Sequence, residues 1–122
     1  MAKVLMSIKP EFVDAILTGK KKYEYRKVKC KKPIDIIVIY SSSPQMKVVA
    51  EVEVRCIISG TPDEIWKKTH TDSGINKIFY DDYYNNSNIA YAYQLGKIKK
   101  FTKSKSLKDY GIDKAPQSFR YL

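Results

Sequence analysis

The run Gly19-Lys20-Lys21-Lys22-Tyr23-Glu24-Tyr25-Arg26 decides the reading of this chain. It follows a helical segment. Pro10 sits where a first helical residue loses nothing by lacking an N–H. Phe12, Val13, Ile16 and Leu17 then recur at helical spacing and form one apolar stripe. Gly19 supplies the left-handed stop, so the spacing predicts a helix from about Pro10 to Thr18. Upstream, Val4 to Ile8 is short and strand-like. Downstream, Tyr23 and Tyr25 alternate with Lys22, Glu24 and Arg26. If the tyrosines point inward, the three charged residues share the other face.

Further along, Ile34 to Tyr40 is a nearly continuous β-branched run, as expected of a strand buried on both faces. Ser41-Ser42-Ser43-Pro44 breaks it into a polar loop. In Val48 to Ile58, alternation places Val48, Ala50, Val52, Val54, Cys56 and Ile58 on one face. Glu51, Glu53 and Arg55 fall on the other. Thr61, Pro62 and Glu64 spell a helix start with a capping box. Ile75, Ile78, Phe79 and Tyr83 keep helical spacing within an irregular insertion that Asn85-Asn86 ends. Ile89, Tyr91, Tyr93 and Leu95 form a late strand that Ile98 and Phe101 extend. A helical turn and an extended tail, Ala115 to Phe119, close the chain. The strands do not alternate regularly with crossover helices. The expected fold is therefore α+β: one domain, residues 1–122, a small mixed β-barrel flanked by two to three helices.

Composition narrows the function. The 122 residues include 43% hydrophobic and 12% aromatic residues, enough for a core. Twenty-three Lys and Arg against 13 Asp and Glu leave a charge of +10, which points to a polyanionic partner, most simply nucleic acid. The longest apolar run is far too short to span a bilayer, and the first residues lack a secretory signal. Cys30 and Cys56 form no C-x-x-C pair, so reduced thiols in a cytoplasmic protein are the expectation. A single histidine, His70, argues against histidine-rich metal sites. No dinucleotide or Walker motif is present, and neither metal nor cofactor is expected.

The basic residues cluster. Lys20, Lys21, Lys22, Arg26, Lys27, Lys29, Lys31 and Lys32 crowd one segment; Lys97, Lys99, Lys100, Lys103, Lys105 and Lys108 crowd another. Two such clusters can flank one groove and hold phosphates, or they can be two solvated faces. Ten tyrosines include members able to stack on unpaired bases. Tyr23, Tyr25, Tyr91 and Tyr93 sit at strand spacing and fit core positions. Tyr40, beside the serine loop, fits a ligand wall. His70 and Asp72, two apart in a loop-like segment, could serve acid–base chemistry or cleavage of RNA, or simply be solvated. Cys30 lies among lysines that favour its thiolate. Cys56 has core parity.

Gly19, Lys21, Glu24 and Arg26 satisfy the pattern G-x-K-x-x-E-x-R. With the preceding strand and helix, the Ser-Ser-Ser-Pro loop, the Ser73-Gly74-Ile75 insertion and the Ala-Tyr-Ala-Tyr strand, the chain resembles the activating signal cointegrator homology (ASCH) domains, relatives of the RNA-binding PUA domains. The resemblance extends to the tail, Ala115 to Phe119, which is similar to that of small bacterial and phage members. It implies a helix-flanked barrel whose cleft, lined by the motif, accepts RNA or a nucleotide-like ligand. Lys20, Lys21 and Arg26 would supply donors, Glu24 would accept from an amine or orient Arg26, and Ser41, Ser42 and Ser43 would bond a base edge or phosphate. The alternative is a Glu24–Arg26 surface pair, worth about 0–1 kcal/mol.

The resemblance also implies an enzymatic alternative. A small relative is an amidohydrolase that deacetylates N4-acetylcytidine with a Lys, Thr and Glu set. Lys21 matches the Lys, but Glu24 stands at the Thr position. Lys20 and Lys22 would lower the Lys21 pKa by repulsion, and Glu24 or Asp72 would position water. A third alternative is a protein-interaction module in transcriptional or translational regulation. Ligand, specificity and oligomeric state stay open at this level.

Overall fold

Each strand of this computed structural model, which describes all 122 residues, follows from a local pattern. Lys3–Ile8 (β1) and Ile36–Ser41 (β3) pair in parallel, Val4 opposite Ile37 and Met6 opposite Ile39. Both are buried on two faces. Val4, Met6, Ile8, Ile37 and Ile39 enter one apolar cluster, while Leu5, Val38 and Tyr40 enter another. Lys47–Gly60 (β4) and Ala90–Lys105 (β5) form a long antiparallel ribbon. Tyr23–Arg26 (β2) pairs antiparallel with Tyr91–Gln94 of β5, and Phe119–Tyr121 (β6) pairs antiparallel with β1. The order is β2-β5-β4-β3-β1-β6, one mixed six-stranded sheet. It curves as a half-barrel with three helices. The edge strands β2 and β6 are not hydrogen-bonded to each other.

The helices form where the sequence places them. Pro10–Leu17 (α1) begins at its proline and is followed by Gly19 at φ 82°. Its buried face, Val13 and Ile16, packs on β1, β3 and β4. Pro62–Thr69 (α2) carries the full Thr61/Glu64 capping box, worth about 1 kcal/mol. Lys77–Tyr83 (α3) is capped by the Asn76 side chain. Helices α2 and α3 bury Ile65 and Tyr80 against Tyr25, Ala90 and Ala92. Two 3₁₀ turns, His70–Asp72 and Leu107–Tyr110, complete the chain.

One parity expectation fails. In β4 the alternation holds at Val48, Ala50 and Val52, which are buried. The register then shifts between Val52 and Val54 and again between Val54 and Cys56. Such bulges rotate the residues that follow. Cys56 is consequently exposed, its Sγ bonded to Gln94 Oε1 at 3.0 Å, and it is no core residue.

Candidate functional site

The three charged residues of the motif are buried together. Lys21 is 2% exposed, Glu24 6% and Arg26 9%. Glu24 and Arg26 share a face of β2, as alternation requires, but that face looks into the fold. A solvated surface pair is therefore not what these residues form. Arg26 Nε donates to Glu24 Oε2 at 3.0 Å, and Nη2 lies 2.8 Å from the same oxygen. Nη1 donates to the Ser118 carbonyl at 3.2 Å and Nη2 to the Ser7 carbonyl at 2.9 Å. These partners occupy most of the guanidinium, so Arg26 chiefly orients Glu24 and ties chain segments together.

Glu24 Oε1 faces Lys21 Nζ at 3.9 Å. The Lys21 ammonium donates to the Ser73 carbonyl at 3.1 Å. It lies 4.7 Å from the Tyr25 ring centre and 5.3 Å from that of Phe12. Burial brings its pKa from 10.5 down to about 8; Glu24 opposes the shift and Arg26 adds to it. Repulsion from Lys20 and Lys22, the cause expected from sequence, is not among the contributions. Both those side chains are exposed.

A close backbone approach holds Lys21 in place. Gly74, at φ 66°, lies so near that a Cβ there would sit 2.3 Å from Lys21 Cβ and 2.8 Å from its Cα. Only glycine fits. The Lys22 N–H also donates to the Asp72 carbonyl at 2.8 Å. The 72–74 segment thus clamps the middle lysine of three and turns it inward.

These residues line one wall of a cleft of about 780 Å³. Phe12 of α1, Phe79 and Tyr83 of α3, and Ile75 supply an aromatic and apolar wall. Phe12 and Phe79 meet edge to face, with centres 5.0 Å apart. Lys9 Nζ lies over Phe79 at 5.0 Å and Lys27 Nζ over Tyr83 at 4.8 Å. Gln117 and Ser118 of the tail also line the cleft, next to a bond from Ser7 Oγ to the Pro116 carbonyl at 2.8 Å. Motif spacing identified none of this wall. Helical periodicity could mark Phe12 and Phe79 only as apolar-stripe residues.

Several sequence-chosen candidates lie elsewhere. Ser42 lines the cleft, but Ser41 is buried and bonded to Gln45 Oε1, and Ser43 is exposed outside the cleft. Tyr40 is packed with Leu5, Val38, Val48 and Ile112 and is no ligand wall. Its strand is buried on both faces, leaving no side open to a ligand. Lys20 and Asp72 do not line the cleft. His70 caps α2, with Nδ1 3.1 Å from the Trp66 carbonyl. Cys30 is buried in the main core, its N–H donating to Tyr93 Oη at 3.0 Å, rather than displayed among lysines. No residue of the second lysine cluster lines the cleft.

Comparison with known proteins shows what the chain is similar to. The large ribosomal subunit protein uL22 of Ureaplasma parvum is 35% identical over 86 residues, covering 70% of this chain but 28% of that protein. The ATP synthase subunit alpha of the same organism is 28% identical over 120 residues, covering 98% of this chain and 15% of that one. The chain thus spans under a third of the length of these relatives. An ASCH domain-containing ribonuclease of Zymomonas mobilis is 27% identical over 97 residues, 76% of this chain and 64% of that one. The crystal structure of ASCH from Zymomonas mobilis superposes with a TM-score of 0.89 at 24% identity, covering 98% of this chain and 87% of that one. The ASCH domain model itself matches residues 6–101. With most of its length matched, the chain belongs to the ASCH domain family.

Proposed function

We propose that the protein binds RNA at the Lys21–Glu24 cleft and cleaves it there. The observation that carries this reading is Lys21, a lysine 2% exposed at a cleft wall with its pKa near 8. A related ASCH protein that bears the name ribonuclease supports it. At pH 7 about a tenth of such amines are neutral, and a neutral amine is a competent base. Phe12, Phe79 and Tyr83 line the cleft as aromatic partners for an unpaired base. Lys9 and Lys27 at the rim offer charge to the flanking phosphates.

In this reading Lys21 Nζ takes the proton of a ribose 2′-hydroxyl. The 2′-oxygen forms a bond to the adjacent phosphorus and the bond from phosphorus to the 5′-oxygen breaks. That oxygen leaves with a proton from water or from the Lys21 ammonium, giving a 2′,3′-cyclic phosphate and a 5′-hydroxyl. Glu24, fixed by Arg26, keeps Nζ in place.

The amidohydrolase reading shares Lys21 and a glutamate, but no threonine lines the cleft. One experiment separates the readings. End-labelled single-stranded RNA and N4-acetylcytidine are each incubated with wild type and with Lys21→Met. Cyclic-phosphate ends that form faster as pH rises to about 8, with at least about a hundredfold loss in the variant, support cleavage. RNA bound but uncut leaves a binding module only. Released acetate favours the amidohydrolase, and no binding overturns the reading.

A further inference from the structure

We propose that RNA reaches the cleft along a lysine track on the free edge of β5; this rests on the RNA reading above. Strand β2 covers that edge only at Tyr91–Gln94. Beyond it β5 continues to Lys105 and pairs with β4 alone, through a bulge between Lys100 and Lys105. From Gly96 to Lys105 no further strand pairs with this edge, a stretch of about 30 Å when extended. Lys97, Lys99, Lys100, Lys103 and Lys105 stand along it, all exposed. None of the five forms an ion pair. Glu51, opposite Lys99 in the register, is bonded to Lys3 at 3.0 Å instead. Unpaired like charges on one strand repel, and a polyanion relieves that repulsion.

The track starts next to the segment that carries the cleft lysine. The Leu95 N–H donates to the Lys22 carbonyl at 2.9 Å. That bond sets exposed Lys22 beside the start of the β5 lysines. Lys21, the residue before it, turns into the cleft. The β5 lysines therefore start one residue from the lysine proposed to act on RNA, along the chain segment that presents it. The uncovered β5 edge adds backbone N–H groups able to donate to phosphates.

A second role suits the same residues, since lysines on an open edge also prevent strands of two molecules from pairing. The test distinguishes the two. Lys97→Gln/Lys99→Gln/Lys103→Gln is compared with a control that removes the same charge elsewhere, Lys67→Gln/Lys68→Gln/Arg120→Gln. Fluorescence anisotropy follows labelled oligouridylates of about 4 and about 16 nucleotides across a salt series, with thermal melts to verify folding.

The track predicts that its variant binds the long RNA at least about tenfold more weakly, with a salt slope shallower by about 2, as three lost lysine–phosphate contacts on single strands require. The short RNA keeps its affinity, and the control variant binds both as wild type does. Equal weakening by both variants overturns the track in favour of net charge. Unchanged long-RNA binding with new self-association overturns it in favour of edge protection. Wild-type binding of the short RNA with either result indicts the track alone, whereas failure to bind either RNA overturns the cleft reading too.

Discussion

Arg26 and Ser118, 92 residues apart, are joined by a 3.2 Å hydrogen bond from the guanidinium to the carbonyl. The bond spans the gap between the edge strand β2 and the segment entering β6. A second, to Ser7 on β1, lies beside it at 2.9 Å. One side chain therefore laces the open side of the half-barrel where backbone pairing stops. Arginine is suited to this, because its planar fork reaches several acceptors while staying charged.

Removing Arg26 should accordingly cost stability before it costs function. Arg26→Ala leaves the Glu24 carboxylate buried without its close partner, a change worth about 3–5 kcal/mol. For a chain of this size that lowers the melting temperature by about 10–20 °C. Neutralising both members, Glu24→Gln with Arg26→Met, should recover part of the loss. Thermal unfolding followed by circular dichroism reads all three proteins. A melting point for Arg26→Ala within 2 °C of wild type would show that the pair does not hold the fold. Lost RNA binding in that variant would report unfolding, which makes Lys21→Met the cleaner probe of the site.

Lys21 should make stability depend on pH in a defined direction. Its folded pKa of about 8 lies below the ordinary 10.5. Below pH 8 both folded and unfolded chains carry the proton, and the cost of burying the charge is fully present. Between pH 8 and 10.5 the unfolded chain binds more protons, so stability rises with pH. The cited values correspond to about 3 kcal/mol. Urea unfolding of wild type and Lys21→Met at pH 7 and pH 10 isolates this contribution, since contributions common to both largely cancel. The wild type should gain about 2–3 kcal/mol relative to the variant over that interval. A difference independent of pH would mean Lys21 titrates near its ordinary value.

Gly74→Ala should disable the site without touching a charged group. The added Cβ meets the Lys21 backbone and Cβ, none of which is a flexible end. The left-handed φ of 66° adds about 1 kcal/mol of strain. Lys21 or the 72–74 segment must move. We expect a fall in melting temperature of several degrees, together with loss of the Lys21-dependent rise in stability between pH 7 and 10. An alanine variant that melts and titrates as wild type does would show that the clamp is loose.

The sequence revealed what depends on neighbours along the chain. Pro10 and Gly19 bound α1, Thr61 and Glu64 open α2, and the β-branched run at Ile36–Tyr40 is buried on both faces. It also brought Lys21, Glu24 and Arg26 together by motif. Their burial was not legible, because three consecutive lysines read as solvated, and only Gly74, 53 positions on, turns the middle one inward. The aromatic wall was hidden for a similar reason. Phe12 belongs to an apolar stripe, and whether that stripe meets core or cleft depends on where α3 packs. Tyr40, placed beside a polar loop, was drawn instead into the core with Leu5 and Ile112.

The two cysteines, whose environments reverse the sequence expectation, should differ sharply in reactivity. Cys56 is exposed because two bulges in β4 turn it out of the core. Cys30 is 3% exposed, with Tyr93 Oη 3.5 Å from its Sγ. Modification requires access by the reagent to a thiolate. A thiol-specific chromogenic reagent at pH 8 should therefore titrate one group per chain promptly under native conditions. The second should react only as fast as the chain opens, and at once in denaturant. Cys56→Ser should abolish the prompt phase, and Cys30→Ser should leave it intact. Two prompt thiols in the wild type would mean that the segment carrying Cys30, between β2 and β3, opens freely from the core. The Tyr93 hydroxyl, which accepts from the Cys30 N–H at 3.0 Å and donates to the Val28 carbonyl at 3.2 Å, would then fail to pin that segment.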